Sequence, residues 1–244
     1  MEPISDVPGA LAVFTPSLPD VWELNAVLAP QGADGDTTGR LLTAAEGVQG
    51  AAGLRHRKLR LSDSGPAGDG LEALARAAGW TLDRDLVMVR RRAPDRDTGG
   101  GQAVQEISAE ELAPAEDRFL MSEPGGDDAR VRAQLLVQHE RWERPATSAW
   151  QFGIVEDERV LAWCRVYEHD GITELDGVAA LAEHRGRGLG RALLEGVLAR
   201  IPGDRLVFLL ADTDDWPKDL YGRLGFDGVG ERQGATRLPP GEPG

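Results

Sequence analysis

The alternation of strand-like and helix-like segments along most of the 244 residues predicts an α/β (α+β) fold, in which helices flank a sheet. Two further observations predict two units. Residues 91–103 contain proline and three consecutive glycines without hydrophobic periodicity, which is typical of a linker. The segments before and after it share a strand, a helix and a Gly-aromatic pair. We therefore expect a smaller unit over residues 1–92, a linker over 93–102 and a larger unit over 103–240.

The overall charge disfavours some functions before any motif is considered. With a formal net charge of -14, the chain is not expected to bind nucleic acid, whereas cationic partners such as amines are attracted. No apolar run approaches the roughly 18 residues of a membrane helix, and no signal pattern is recognisable. The single cysteine, Cys164, lies in an apolar run and is predicted to be a buried packing thiol. Because no disulfide can form within the chain, we expect a cytoplasmic protein. The oligomeric state is left open.

The first unit is predicted to alternate three strands with two helices. The strands are predicted at DVWELNAVLAP, LRHRKLRLSD and TLDRDLVMVRRR, the last as a strand or a hairpin. The helices are predicted at DTTGRLLTAAEGVQG, with a threonine cap, and at GLEALARAAGW.

The second unit is predicted to have the order β-α-α-β-β-β-α-β-α-β. A short strand, QAVQEIS, leads into a helix that begins with a capping box of Ser108 and Glu111. A second amphipathic helix, DDARVRAQLLVQHERW, begins with acidic residues. EDER is predicted to be the turn between the strands SAWQFGIVED and RVLAWCRVYEHDG. The later elements are predicted at GITELDGVAAL, GLGRALLEGVLARI, DRLVFLLAD and DWPKDLYGRLGF.

The two units contain a related segment. The sequence LRLSD…LEALARAAGW aligns with VFLLADTDDWPKDLYGRLGF, and each has an apolar strand, a helix and a Gly-aromatic pair. Aligning Gly79 with Gly225 puts Ala75 opposite Tyr221. We interpret this as an internal repeat; the alternative is that a Gly-aromatic pair after a helix is a common ending.

The stretch AEHRGRGLGRALLEG, residues 182–196, gathers three arginines and four glycines in an acidic chain. It follows a predicted strand and opens a predicted helix. The first N–H groups of a helix lack internal partners and carry partial positive charge, so they form an anion site. Glycine lets the anion approach the backbone. The spacing fits neither G-x-G-x-x-G nor a P-loop. The alternative is a glycine-rich turn without a ligand.

A second motif, LYGRLGF, begins about 35 residues after the first, separated from it by one helix and one strand. Arg185, Gly188 and Gly190 match the pattern R/Q-x-x-G-x-G/A, and Tyr221 lies on the helix of the second motif. Together these residues resemble the GNAT (Gcn5-related N-acetyltransferase) superfamily over residues 103–237. The resemblance implies a mixed, mostly antiparallel GNAT sheet flanked by helices, with two GNAT-like units in tandem.

The resemblance also implies an acetyl-CoA site. The strand LDGVAAL looks like the splayed fourth strand of the family, whose backbone from Val178 through Ala179 to Ala180 would pair with the pantetheine arm. The diphosphate would be held by Arg185, Gly186, Arg187, Gly188, Leu189, Gly190 and Arg191. Tyr221 matches the tyrosine that protonates the departing CoA thiolate. A phenol with a pKa of about 10 suits a thiolate with a pKa of about 8.5 only within hydrogen-bond reach.

Two carboxylates are candidates for the general base that takes a proton from the attacking ammonium. Strand alternation predicts that Glu174 and Asp176 share a face with Val178 and Ala180. The alternative is that both are strand-edge carboxylates. No residues show metal-ligand spacing, so no metal is expected. The resemblance implies acetyl-CoA as the cosubstrate.

The histidines give no clear signal. His139 and His169 show no partner in the sequence. His184 lies inside the first motif and is predicted to pack or cap.

Some positions depart from the family pattern. Ala182 stands where the family often has Pro, and Asp214 where it often has Asn. The first unit resembles a degenerate, partial GNAT half. Its strand-to-helix junction carries Asp34 and Asp36, which would repel a diphosphate, and Ala75 replaces the tyrosine. We expect this unit to bind no acetyl-CoA and to complete the sheet or wall the amine pocket.

The resemblance implies an N-acetyltransferase that transfers an acetyl group from acetyl-CoA to a primary amine by direct attack on the thioester. The acceptor is expected to be a small-molecule amine or a peptide N-terminus. A relative of mycothiol synthase, another tandem member, is one variant of this interpretation. The alternative is a non-catalytic acyl-CoA-binding or interaction module, in which Tyr221 and the carboxylates are misplaced.

Overall fold

The computed structural model describes residues 2–4, 7–29, 34–61, 66–96, 103–123, 126–143 and 145–238. It divides into two compact units. The first contains Met1–Leu86, Asp212–Asp214 and Gly230–Gly244, and the second contains Val87–Ala211 and Asp215–Val229. Most of the predicted linker, residues 97–102, lies outside the described residues, and the predicted domain boundaries stay predictions.

The first unit is a mixed sheet with two helices. Its elements are β1 (Glu2–Pro3), β2 (Leu11–Val13), β3 (Ala26–Leu28), α1 (Gly35–Ala51), β4 (Arg57–Leu61), α2 (Pro66–Ala77), the beginning of β5 (Thr81–Arg90) and the end of β11 (Phe226–Arg237). The strands lie in the order β1-β2-β3-β4-β11-β5. The pairs β1–β2, β2–β3 and β4–β11 are antiparallel, and β3–β4 is parallel.

Two of the predicted elements in this unit differ from the structure. Only Ala26–Leu28 of the first predicted strand joins the sheet, because Trp22–Leu24 form a 3-10 turn. The buried Asn25 stabilises that turn, since its amide donates hydrogen bonds to the carbonyls of Leu18 (2.7 Å) and Val21 (2.8 Å). The predicted threonine cap of α1 is wrong. Asp34 caps this helix instead.

The second unit also contains a mixed sheet. Its elements are the end of β5, β6 (Val104–Glu106), α3 (Ala109–Ser122), α4 (Ala129–Val137), α5 (His139–Glu143), β7 (Ser148–Glu156), β8 (Arg159–His169), β9 (Ile172–Ala180), α6 (Leu189–Leu198), β10 (Leu206–Asp212), α7 (Pro217–Arg223) and the beginning of β11. The strands lie in the order β11-β5-β10-β9-β8-β7-β6. The pairs β6–β7, β7–β8 and β8–β9 are antiparallel, and β9–β10 is parallel.

The predicted order of elements in the second unit is confirmed, except that the second helix is broken into α4 and α5. The capping box is confirmed, since Ser108 and Glu111 exchange side-chain to backbone hydrogen bonds at the start of α3. The predicted hairpin is also present. Asp157 and Glu158 both adopt the left-handed conformation, with φ of 49° and 60°, as the favoured two-residue turn requires.

Helices cover both faces of this second sheet. Phe119 of α3 packs edge-on against Trp163 of β8, with ring centroids 5.7 Å apart. Cζ of Arg200, just after α6, lies 5.9 Å from the centroid of the Phe152 ring, and Phe152 pairs with Cys164 of β8. Because Trp163 and Cys164 are successive residues of one strand, α3 and α6 lie on opposite faces.

The prediction for Cys164 is confirmed. It is a free, fully buried thiol in the middle of the sheet. Burial raises the pKa of this thiol to about 12, so it stays protonated at neutral pH. None of the helices in the described residues combines the length and apolar character needed to cross a lipid bilayer.

Candidate functional site

Strands β9 and β10 are paired over only part of their length. Residues 172–175 of β9 pair with residues 206–209 of β10. Beyond Leu175, β9 continues to Ala180 and β10 to Asp212 without further pairing between them. On its other side β9 stays paired with β8 as far as Ala180. The two strands therefore separate, and β9 presents an open backbone edge to the gap, as expected of a splayed fourth strand.

A β-bulge interrupts β9 at the start of this gap. The register of the β8–β9 pair shifts so that Gly177 and Val178 together lie opposite Cys164. Gly177 has a φ of 59°, a conformation that glycine adopts at little cost. A Cβ at Gly177 would also lie only 3.3 Å from Nη1 of Arg165. Glycine therefore suits both the backbone and the packing at this position.

The bulge changes which side chains share a face. Asp176 pairs with Arg165 and Ala179 with Trp163, so these residues lie on one face. Ala180 pairs with Ala162 and lies on the opposite face. The prediction that Ala180 shares the face of Asp176 is therefore wrong, because the bulge adds one residue to the alternation. The prediction holds for Glu174 and Asp176 themselves, which precede the bulge.

The backbone of Ala180 lies on the open edge. The N–H of Leu181 donates a 3.0 Å hydrogen bond to the carbonyl of Leu161 in the preceding ladder. Since bonded and non-bonded pairs alternate along antiparallel strands, the N–H and C=O of Ala180 point away from β8. The Ala180 carbonyl accepts a 3.3 Å hydrogen bond from Nε of Arg185. The edge of the gap is thus joined to the arginine of the first motif.

The start of α6 is open. Gly188 is the N-cap residue, with a φ of 79°, and no side-chain hydrogen bond caps the helix. Gly186 has a φ of 76°, and a Cβ at Gly186 or Gly188 would meet nothing within 4 Å among the described residues. The N–H of Ala192 is the first to bond within the helix, to Gly188. The N–H groups of Leu189, Gly190 and Arg191 therefore have no acceptor within the helix, which is what an anion site requires.

The three arginines of the motif are paired with carboxylates. Arg187 contacts both carboxylate oxygens of Glu156, at 2.9 and 3.1 Å. Arg191 contacts Asp95 and Glu195, each at 2.8 Å. Arg185 is less tightly held, with Nη2 3.9 Å from Glu123. Glu156 and Asp95 were not found from the sequence, because both lie far from the motif along the chain.

Tyr221 lies on α7 and is 7% exposed. Its ring packs against Phe226, with centroids 6.4 Å apart. Burial raises its pKa to about 12, with smaller contributions from Cys164, Asp215 and Asp176. The phenol therefore remains protonated at neutral pH and is available as a hydrogen-bond donor.

The end of α7 depends on glycine. Gly225 has a φ of 96°, and a Cβ there would overlap the carbonyl of Arg92. The N–H groups of Arg91 and Arg92 donate to the Gly225 carbonyl at 2.9 and 3.1 Å. The glycine of the second motif thus lets residues 91–92 pass close to the helix end.

Sequence reasoning missed a group of polar side chains centred on Glu116, one of which, Arg165, is the cross-strand partner of Asp176. Nε2 of His139 lies 3.1 Å from Oε1 of Glu116, so the expectation that His139 has no partner is wrong. Arg165 contacts the same oxygen at 2.6 Å. A charged residue in the apolar run of β8 was the available signal, because buried arginine is rare without a partner. His184 contacts Arg187 at 3.0 Å, as its predicted packing or capping role allows.

Comparison with known proteins identifies the family of the second unit. Residues 112–226 match the family model described as Acetyltransferase (GNAT) family. Residues 112–226 are a GNAT domain. The curated proteins contain no sequence that matches the chain. In the described residues, no group of histidine, cysteine, aspartate and glutamate side chains could hold a metal ion.

Solved structures extend the similarity to nearly the whole chain. A conserved protein of unknown function from Staphylococcus epidermidis ATCC 12228 has a TM-score of 0.75 at 15% identity, covering 97% of this chain and 94% of its own. A GCN5-related N-acetyltransferase from Kribbella flavida has a TM-score of 0.55 at 20% identity, covering 92% and 84%. A tandem GNAT protein from the clavulanic acid biosynthesis pathway has a TM-score of 0.55 at 20% identity, covering 87% and 73%. These similarities show a GNAT-like fold.

Proposed function

We propose that the protein is an acetyl-CoA-dependent N-acetyltransferase that acts on a primary amine. One observation carries this proposal. The open edge of β9 leads, through Arg185 and two left-handed glycines, into the uncapped start of α6. An amide-bearing arm that pairs with a strand edge and ends in a diphosphate suits this arrangement. The pantetheine diphosphate of acetyl-CoA has this chemistry.

The residues divide the chemistry among them. The amine nitrogen forms a bond to the acetyl carbon while the carbon–sulfur bond breaks. The proton lost by nitrogen goes to Glu174 or Asp176, and Tyr221 donates a hydrogen bond or a proton to the departing sulfur. Val178, Ala179 and Ala180 would line the pantetheine arm. The N–H groups of residues 189–191 and the three arginines would face the diphosphate.

One set of observations favours the alternative, a module that binds acyl-CoA without turnover. Arg187 and Arg191 are already neutralised by carboxylates. A phenol with a pKa of about 12 is also a weak acid for a thiolate with a pKa of about 8.5. The alternative therefore predicts binding of acyl-CoA with no transfer to any amine.

Two measurements on the purified full chain test the proposal. Calorimetric titration with CoA and with acetyl-CoA is expected to show one binding site for each. Thiol release from acetyl-CoA, followed with a panel of amines, is expected to exceed the amine-free rate for at least one acceptor. Binding without amine-dependent release would support the module instead. No binding of either ligand would refute both functions.

A further inference from the structure

A row of polar side chains crosses three strands of the second unit. Gln151 of β7 pairs with Arg165 of β8, and Arg165 pairs with Asp176 of β9. In the next row, Tyr167 of β8 pairs with Glu174 of β9. Because cross-strand partners share a face, these five residues lie on one side of the sheet. We call them the polar face. They lie on the side that α3 covers through Phe119.

Several polar atoms on and above the polar face lack hydrogen-bond partners. These atoms are Oη of Tyr167, Oε1 of Gln151, Nε of Arg165 and Nδ1 of His139. All four are buried, and none has a hydrogen-bond partner among the described residues. Tyr167 is only 3% exposed. Folded proteins rarely leave such atoms unpaired, because each gives up its hydrogen bonds to water. A polar ligand on the polar face would satisfy them.

The charges around Tyr167 indicate the kind of ligand. Burial raises the pKa of Tyr167, and the carboxylates of Asp176, Glu143 and Glu174 raise it further, while Arg165 opposes them. Arg165 is itself paired with Glu116. The hydroxyl therefore lies among three carboxylates and one arginine that is already neutralised. This environment favours a cation.

The polar face adjoins the proposed reaction centre. Asp176 is the last residue of β9 before the bulge and contributes to the raised pKa of Tyr221. Glu174 lies two residues earlier on the same face, roughly 7 Å away along the strand. Two carboxylates at this spacing match a ligand with two cationic groups separated by about four carbon atoms.

We propose that the polar face is the acceptor subsite and that it selects an amine carrying a second cationic group. The reacting nitrogen lies against Asp176 at the gap. The second cation lies toward Glu174, and Tyr167 hydrogen-bonds to the acceptor. This inference rests on the proposed function, since it concerns the same site. It excludes acceptors that carry a carboxylate at the position of the second cation.

Binding of three probes that each contain four carbon atoms tests the inference. 1,4-Diaminobutane, n-butylamine and 4-aminobutanoate are each titrated into the full chain, with and without saturating CoA. The diamine is expected to bind at least tenfold more tightly than n-butylamine, and 4-aminobutanoate is expected to bind most weakly. Equal binding of the diamine and n-butylamine, tighter binding of 4-aminobutanoate, or no binding of the diamine would overturn it.

Two variants locate the subsite. Asp176→Asn is expected to weaken diamine binding about 10- to 100-fold, because a charge-assisted contact is lost. Tyr167→Phe removes an unpartnered hydroxyl, so the fold should persist, and is expected to weaken binding about 3- to 10-fold. Asp204→Asn, in the exposed turn before β10, makes the same charge change and should have no effect. Diamine binding unchanged in Asp176→Asn would refute the subsite.

The same titrations separate this inference from the proposed function. CoA binding is measured in each protein before the probes are added. If the wild type does not bind CoA, the proposed function is contradicted. The titrations without CoA still report on the subsite in that case. Normal CoA binding with the wrong order of probes contradicts the acceptor subsite alone.

Discussion

The two units contain the same frame but differ where a ligand would bind. In the first, α1 joins the parallel strands β3 and β4, and in the second, α6 joins the parallel strands β9 and β10. In each unit the next helix is followed by a left-handed glycine and a buried aromatic residue. These pairs are Gly79 with Trp80 and Gly225 with Phe226. The shared frame supports the internal repeat inferred from the sequence.

The starts of the two helices differ in charge. The carboxylate of Asp34 accepts a 2.8 Å hydrogen bond from the N–H of Thr37, so the first unit supplies its own anion. In the second unit the equivalent position is Gly188, which has no side chain. An anion site at the start of a helix therefore depends here on an N-cap residue without a capping side chain. The helix by itself does not provide such a site.

The two parallel strand pairs differ as well. Just after β3, the N–H of Ala29 still bonds to the Arg60 carbonyl of β4 at 2.8 Å. In the second unit, β9 runs on without β10 after Leu175. The first unit also has Ala75 where the repeat places Tyr221. Three features on which the proposed acyl-CoA site depends are thus present in one unit and absent from the described residues of the other, which supports the prediction that the first unit binds no acetyl-CoA.

The largest expected effect is on turnover when Tyr221 is replaced. Tyr221→Phe removes the proposed donor to the departing sulfur and should lower kcat by about 10²- to 10³-fold. Calorimetric CoA affinity should be unchanged, because the contact proposed for the hydroxyl is with the departing sulfur and not with the diphosphate. Thermal unfolding serves as the control for this buried position. If the variant turns over as fast as the wild type, Tyr221 is only a buried core residue, as Ala75 is in the first unit.

The second effect concerns how the second unit supports its polar face. Burial alone would raise the pKa of Glu116, but the hydrogen bond from His139 and the charge of Arg165 outweigh it, and the pKa is lowered. A lowered pKa stabilises the fold above the ordinary value of 4.5 and loses this contribution as the pH falls through the folded value. Glu116→Gln should therefore lower the free energy of unfolding by about 3 kcal/mol at pH 7.

Urea unfolding at a series of pH values measures this contribution. The difference between wild type and Glu116→Gln should shrink toward zero in acid. Glu110→Gln on the exposed side of α3 is the matched control and should follow the wild type. A constant difference across the series would mean that the ion pair is not its cause.

The third prediction introduces at the N-cap of α6 the negative charge that Asp34 carries at the N-cap of α1. Gly188→Asp places a carboxylate at the start of α6, as Asp34 does for α1. Two charges about 4 Å apart repel by about 4 kcal/mol at an effective dielectric constant of 20, so CoA affinity should fall by about 100-fold or more. Gly188→Asn has nearly the same shape without the charge and should cost less than tenfold. Equal losses in both variants would attribute the effect to backbone strain.

Much of this comparison could be predicted from the sequence. Hydrophobic periodicity and the capping box predicted the order of elements in the second unit, and the spacing of Gly188 and Tyr221 predicted the family. The bulge at Gly177 could not be predicted, because one extra residue leaves no mark on an alternating pattern. The pairing of Arg191 with Asp95 was also hidden, since it depends on how distant segments fold together.

The smallest effect tests the first unit. Asp34→Ala removes the cap of α1 and should lower the Tm by about 2–4 °C. The hydrogen bond from Thr37 lowers the pKa of Asp34, so the stabilisation should be present at neutral pH and lost as the pH falls through that lowered value. Asp34→Asn retains a capping oxygen and should keep more of the stability, without this acid dependence. CoA affinity should be the same in all three proteins. A CoA affinity that rose on removing Asp34 would show that the first unit also presents an anion site and differs from the second only by its own carboxylate.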